Sequence, residues 1–152
     1  MFSVTRISIV LVCAVSLATG AYAAAPSEEA AKAAAVVHLK KGQVLLERGK
    51  SEPAEKEFDF AIVSYPDGAA LYGMRGKTRY ERKNYPGAIE DFNVYLKAKP
   101  EDVSILLLRG IAKSLLKPED IGGACADFIL VRAHMKSVDM GKYCHGQPGW
   151  PE

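Results

Sequence analysis

Strand-like alternation is missing from this 152-residue sequence, and so are most of the signatures of chemistry. No apolar–polar alternation of period two runs long enough to mark a strand. No glycine-rich loop follows a strand, which removes the usual phosphate cradle. The three histidines, His38, His134 and His145, stand too far apart for a ligand pair such as H-x-x-x-H. His38 reads as a packed helix residue. The three cysteines, Cys13, Cys125 and Cys144, make no C-x-x-C. Cys144-His145 could end a haem-attachment C-x-x-C-H, but position 141 is Gly141. Twenty basic against eighteen acidic residues leave a net charge of +2, with no Lys/Arg stripe interleaved with aromatics. A nucleic-acid partner is therefore not expected. Glu90 and Asp91 are adjacent, so on a helix they point apart and read as a solvated face rather than a catalytic dyad. Ser64 and Ser114 have no His or Asp arranged around them in sequence. No catalytic residue, metal site or cofactor is expected. What is present, 49% hydrophobic and 25% charged residues, describes an ordinary globular chain of about one domain.

Residues 1–23 read as a targeting segment. Arg6 is the single charge, and Ile7 to Ala18 form an apolar run of secretory length. Ala21-Tyr22-Ala23 then places small residues where signal peptidase reads, so cleavage is expected after Ala23. The alternative is a retained anchor, for which the run is short of the ~20 residues that a span requires. No stable membrane span is then expected after cleavage. Cys13 follows Val12 rather than a small residue and is not a lipoprotein cysteine. The leader is bacterial in style, so the expected destination is the periplasm or the exterior.

From there the chain repeats itself. Gly42, Gly76 and Gly110 recur at a spacing of 34, as do Ala54 and Ala88, Phe58 and Phe92, and Pro66 and Pro100. Arg75 and Arg109 precede their glycines identically. Ala124 and Phe128 continue the series two residues late, after an insertion near Lys117–Asp120. A glycine inside a helix costs roughly 1 kcal/mol relative to alanine, so it needs a packing reason. Close approach of the partner helix supplies one. The phenylalanines lie one turn beyond the small alanines on the same face, and the prolines stop each second helix. This pattern resembles the tetratricopeptide repeat, a helix–turn–helix unit of 34 residues. The resemblance covers about residues 35–136 and implies an all-α, right-handed solenoid of three helix pairs. Where the family usually has a small residue late in the second helix, this chain has Ala61, then Tyr95 and Val131.

The expected limits follow from caps and breakers. Domain limits are 24–145, with a tail over 146–152 rich in Gly and Pro. Ser27 should cap the first helix, with Glu28 and Glu29 in its positive first turn. Ser51, Asp67, Asn84 and Asp102 should cap the next four, and helix six should run from about Ile121 to His134. A short closing helix over Val138–Tyr143 should cover the open end of the stack.

By the same resemblance, the first helix of each unit lines a concave surface. The binding positions implied are Leu39, Gln43 and Leu46, then Lys77, Tyr80 and Glu81, then Leu107 and Ile111. Chaperone-binding members of the family clamp a peptide carboxylate with Lys and Asn. Leu39, Gln43 and Met74 occupy the corresponding places here, so that clamp is not expected. After cleavage Cys125 and Cys144 remain. An even count in an oxidising compartment favours a disulfide over two buried thiols. The chain also resembles secreted repeat proteins with Gly-Ala-Cys on the last paired helix and Tyr-Cys after it. The expected function is an adaptor that holds a peptide or protein segment in its groove. The alternative is a small redox or metal-binding protein using Cys125, Cys144 and His145.

Overall fold

The computed structural model describes residues 26–117, 121–135, 144 and 146. The expected leader over 1–23, the closing helix and the tail beyond Gly146 lie outside these residues. The described residues form six helices and no strand: α1 (Glu28–Glu47), α2 (Ser51–Ser64), α3 (Ala69–Glu81), α4 (Tyr85–Ala98), α5 (Val103–Leu116) and α6 (Gly122–His134). Each helix packs on the next, and α3 also reaches α5. The helices pair as α1/α2, α3/α4 and α5/α6, an α-solenoid of three units.

Three expected caps are in place. The Ala30 amide donates to Ser27 Oγ, the Gly87 amide to Asn84 Oδ1, and the Ser104 and Ile105 amides to Asp102 Oδ1. Two are not. Lys50 and Gly68 stand at the cap positions of α2 and α3, and neither helix start has a side-chain cap. Ser51 is already the first helical residue, and Asp67 offers its backbone carbonyl to Ala69 instead of its carboxylate.

The repeated glycines make room for rings rather than for backbone. A Cβ on Gly42 would stand 2.4 Å from the Phe58 ring, and one on Gly110 would stand 2.5 Å from that of Phe128. Ala54, Ala88 and Ala124 are fully buried beside those phenylalanines. One spacing therefore specifies one ring-in-notch contact, repeated in every unit.

The solvated-face reading of Asp91 is corrected: it is 2% exposed, while Glu90 beside it is exposed. Asp91 accepts from Arg75 Nε at 3.0 Å and Nη2 at 2.6 Å, and from Arg79 Nη1 at 3.1 Å. Arg75 Nη1 also donates to Asp59 of the preceding unit at 2.7 Å. One arginine thus ties α2, α3 and α4. Arg109 repeats the arrangement, donating to Asp127 Oδ2 and Oδ1 at 3.0 and 2.5 Å and to Asn93 Oδ1 at 2.8 Å. Buried pairs of this kind contribute little net stability, but removing one partner leaves a buried charge uncompensated at a cost of roughly 3–5 kcal/mol. Burial opposes the charge on Arg75, yet its hydrogen bonds to Asp91 and Asp59 outweigh that and raise its pKa.

Candidate binding groove

A depression of about 240 Å³ opens on the face built by α1, α3 and the start of α5. Its rim and walls are Leu39 and Gln43 from α1 and Ala70, Met74 and Lys77 from α3. Gly73 and Tyr95 form the floor, and Ile105 closes the far side. Residues 70, 73, 74 and 77 recur at helical spacing, so one stripe of α3 faces the opening. The floor depends on the glycine: a Cβ at Gly73 would lie 2.7 Å from the Tyr95 ring.

The polar groups are few and distinct. Tyr95 donates its hydroxyl to Asp102 Oδ2 at 2.6 Å. That bond, with burial, pushes the Tyr95 pKa up to about 12. Burial works against the Asp102 charge, but the Tyr95 hydroxyl, the Ile105 and Ser104 amides and the nearby Lys77 outweigh it and lower its pKa. Lys77 is exposed and makes no ion pair among the described residues. The depression is therefore an apolar pocket with one available cation and one amide side chain at its edge.

Of the binding positions taken from sequence, the structure brings Leu39, Gln43 and Lys77 together here. Leu46, Tyr80 and Glu81 lie one turn further along the same helices. Tyr80 is half-buried, with its ring 5.8 Å from that of Tyr85, and burial raises its hydroxyl pKa. Leu107 and Ile111 are half-buried and pack against the cluster of Cys125, Phe128 and Cys144. Tyr95, Met74 and Ile105 were not among the sequence-derived positions. Tyr95 was visible only as a departure from the small residue usual at its place.

Cys125 and Cys144 are paired in the structure, their Cα atoms 5.6 Å apart, and are 1% and 0% exposed. His38 Nδ1 lies 2.8 Å from Glu57 Oε2, with Phe60 against the ring, as a packed helix residue would. Ser64 and Ser114 donate to carbonyls of their own helices, those of Phe60 and Ile111. Among the described residues no cluster of His, Cys, Asp and Glu could hold a metal ion. No described helix is long and apolar enough to cross a membrane.

Residues 39–103, spanning most of the first two units, match the tetratricopeptide repeat family. No curated protein sequence matches at a significant level. Solved structures share the fold, two of them peptide-bound domains of one protein. The second TPR domain of Spaghetti (RPAP3) bound to the HSP90 peptide SRMEEVD superposes with a TM-score of 0.61 at 22% identity, covering 67% of this chain and 93% of that one. The first TPR domain of the same protein, bound to the same peptide, gives 0.62 at 19% identity, covering 71% and 84%. Residues 39–103 thus match tetratricopeptide repeats, and the three helix pairs share the fold of tetratricopeptide-repeat domains.

Proposed function

We propose that this chain is an exported, non-enzymatic adaptor that holds a peptide or protein segment in the groove between Gln43 and Lys77. The observation that carries the reading is the depression itself, where four helices converge on apolar walls beside Lys77, which makes no ion pair among the described residues. A ligand segment would set an apolar side chain against Leu39, Met74 and Ile105, and an acceptor near Lys77. Both fold neighbours hold a peptide, SRMEEVD, which supports an occupant of that size. Replacing Lys77 with Glu and Gln43 with Ala should weaken capture of the partner from periplasmic extract at least tenfold. The helical circular dichroism spectrum should not change. If Glu90→Lys abolishes capture while the groove pair does not, binding belongs to another face.

Export is part of the same proposal, resting on the leader-like residues 1–23 and on the cysteine pair. In an oxidising compartment Cys125 and Cys144 would close a loop of about 20 residues, contributing roughly 3 kcal/mol through the unfolded state. Their burial supports a structural role, since a redox-active thiol needs access to its partner. Intact-mass measurement after alkylation, with and without reductant, checks this. We expect no alkylation before reduction and two alkyl groups after it, on a chain that begins at Ala24. Two labelled thiols in the unreduced protein would reject the disulfide.

A further inference from the structure

A repeat protein allows two equivalent sites to be compared within one molecule, and here they are not equivalent in charge. Arg75 and Arg109 lie 34 residues apart, as do Asp59 and Asn93, and Tyr72 and Leu106. At the first site the arginine meets two carboxylates, Asp91 and Asp59. Its Nη1 donates to the Asp59 carboxylate, and the Tyr72 ring lies 5.5 Å from the guanidinium. Its neighbour Arg79 pairs with both Asp91 and Glu55.

At the second site the carboxylate is an amide. Arg109 Nη1 donates to Asn93 Oδ1, a neutral acceptor. Asp127 is the one carboxylate that Arg109 and Lys113 share. Arg109 makes three guanidinium hydrogen bonds among the described residues, as Arg75 does, so the two sites differ in the charge of the acceptors rather than in their number. The ring is absent too, because Leu106 is buried in the core where Tyr72 stood over its arginine. What results is a cleft of about 490 Å³ between α4, α5 and α6. Asn93, Lys97 and Arg109 supply its polar lining, and Leu96, Pro100 and Leu130 its apolar walls. Lys97 makes no ion pair among the described residues, and Leu130 is 47% exposed.

We propose that this cleft binds the carboxylate of an acidic peptide segment whose neighbouring residue is apolar. The arriving carboxylate supplies the charge that Asp59 supplies at the first site. It would accept from the Arg109 N–H groups that do not bond Asp127 or Asn93, from the Asn93 amide and from Lys97. Charged hydrogen bonds to a guanidinium are among the stronger recognition contacts. A small inorganic anion would satisfy the cations but leave Leu96, Pro100 and Leu130 wet. A Glu or Asp flanked by Leu, Ile or Val satisfies both. The cleft is separate from the groove: the two share no lining residue, the groove drawing on α1 and α3 with Tyr95 and Ile105, the cleft on α4, α5 and α6.

The test is an NMR titration of the full-length, nitrogen-15-labelled protein. The probes are acetyl-Leu-Glu-Leu-amide, its Gln counterpart, and sodium acetate. The Glu peptide should shift the Asn93 side-chain amide, Arg109 Nε and the amides of Lys97 and Leu130. The Gln peptide and acetate should each bind at least tenfold more weakly. Asn93→Asp restores the carboxylate of the first site without removing a contact. It should weaken the Glu peptide tenfold or more while leaving the thermal midpoint unchanged or higher. Lys97→Glu should do the same, and Lys77→Glu in the groove should not. Equal binding of the Glu and Gln peptides, acetate binding as tight as the peptide, or unaltered binding by Asn93→Asp would overturn the proposal. So would shifts confined to Gln43 and Lys77, which would leave the groove reading standing alone.

Discussion

The first and second units solve one packing problem with opposite choices. In the first, Leu39 on the leading helix packs against the cluster that holds Ala61 of the trailing helix. In the second, the equivalent positions are Gly73 and Tyr95, and the large side chain now comes from the trailing helix. Packing density constrains the summed volume of a facing pair, not each position alone. The exchange also has a consequence that volume does not require. Tyr95 carries a hydroxyl to Asp102, the residue that caps α5. The first unit has no such link: Ala61 has no donor, and the residue equivalent to Asp102 is Gly68, which caps nothing with a side chain. The start of α5 is therefore hydrogen-bonded to a side chain of α4, while the start of α3 is held by the packing of Leu71 and has no side-chain cap.

The comparison breaks most strongly at Tyr95. Tyr95→Ala should cost about 3–5 kcal/mol, the range for emptying a large aromatic site that cannot collapse. Adding Gly73→Leu transplants the size order of the first unit and should recover part of that loss. Gly73→Leu alone should destabilise, because its Cβ already meets the ring. A double-mutant cycle by urea denaturation checks the claim. Additive single effects would show that the two residues do not share a volume.

The pattern of the cycle also marks what could be read from sequence. Gly42, Gly76 and Gly110, with their phenylalanines, gave the register of all six helices, because one contact repeated at one spacing leaves little choice. Tyr95 was visible as an irregularity, but its partner Gly73 lies on another helix, and nothing local in sequence links them. Asp91 was misread for a related reason. Its burial follows from Arg75 and Arg79, which sit 16 and 12 residues away and come alongside only when α3 and α4 pack. Arg75 and Arg109 were noted as repeated, yet a spacing cannot show which carboxylates they meet. Ser51 and Asp67 failed as caps because the chain enters α2 and α3 one residue away from where a capping side chain would be needed.

A smaller effect sharpens the comparison through pH. Tyr95→Phe keeps the ring and removes only the bond to Asp102, so it should cost about 1–2 kcal/mol near neutrality. The folded state raises the Tyr95 pKa to about 12, so it favours the protonated phenol. That contribution is complete below about pH 10 and is lost as pH rises towards 12. The Asp102 pKa is lowered, so the fold favours its ionised form. That contribution is present above about pH 4 and is lost as pH falls through the lowered value. Tyr95→Phe should remove its own part of the alkaline loss, leaving that of Tyr80, and only reduce the acid one, because the Ser104 and Ile105 amides still donate to Asp102. Thermal midpoints from pH 3 to 11 check both arms. A parallel shift at every pH would show that the hydroxyl contributes by packing alone.

The smallest effect lies in the turns between paired helices, where the units again differ at one position. Gly49 and Lys83 are 34 residues apart and both adopt positive φ, 70° and 62°. Each sits just past a helix end, where the following amide closes back on the helix. Lys50 donates to the Leu45 carbonyl and Asn84 to that of Arg79, both at 2.9 Å. This closure needs the left-handed conformation, which glycine adopts freely and a residue with a Cβ adopts at a cost of roughly 1–2 kcal/mol. Lys83 is exposed, so little contact is lost by removing its side chain. Against the relief stands the extra freedom of glycine in the unfolded chain, about 0.4–1 kcal/mol. Lys83→Gly should therefore stabilise the protein by about 0.5–1 kcal/mol, a rise of roughly 2–4 °C in thermal midpoint. The reverse exchange, Gly49→Lys, should lower the midpoint by a similar amount. If Lys83→Gly lowers it instead, the lysine side chain holds the turn by contacts that outweigh its backbone strain, and the two turns are not equivalent.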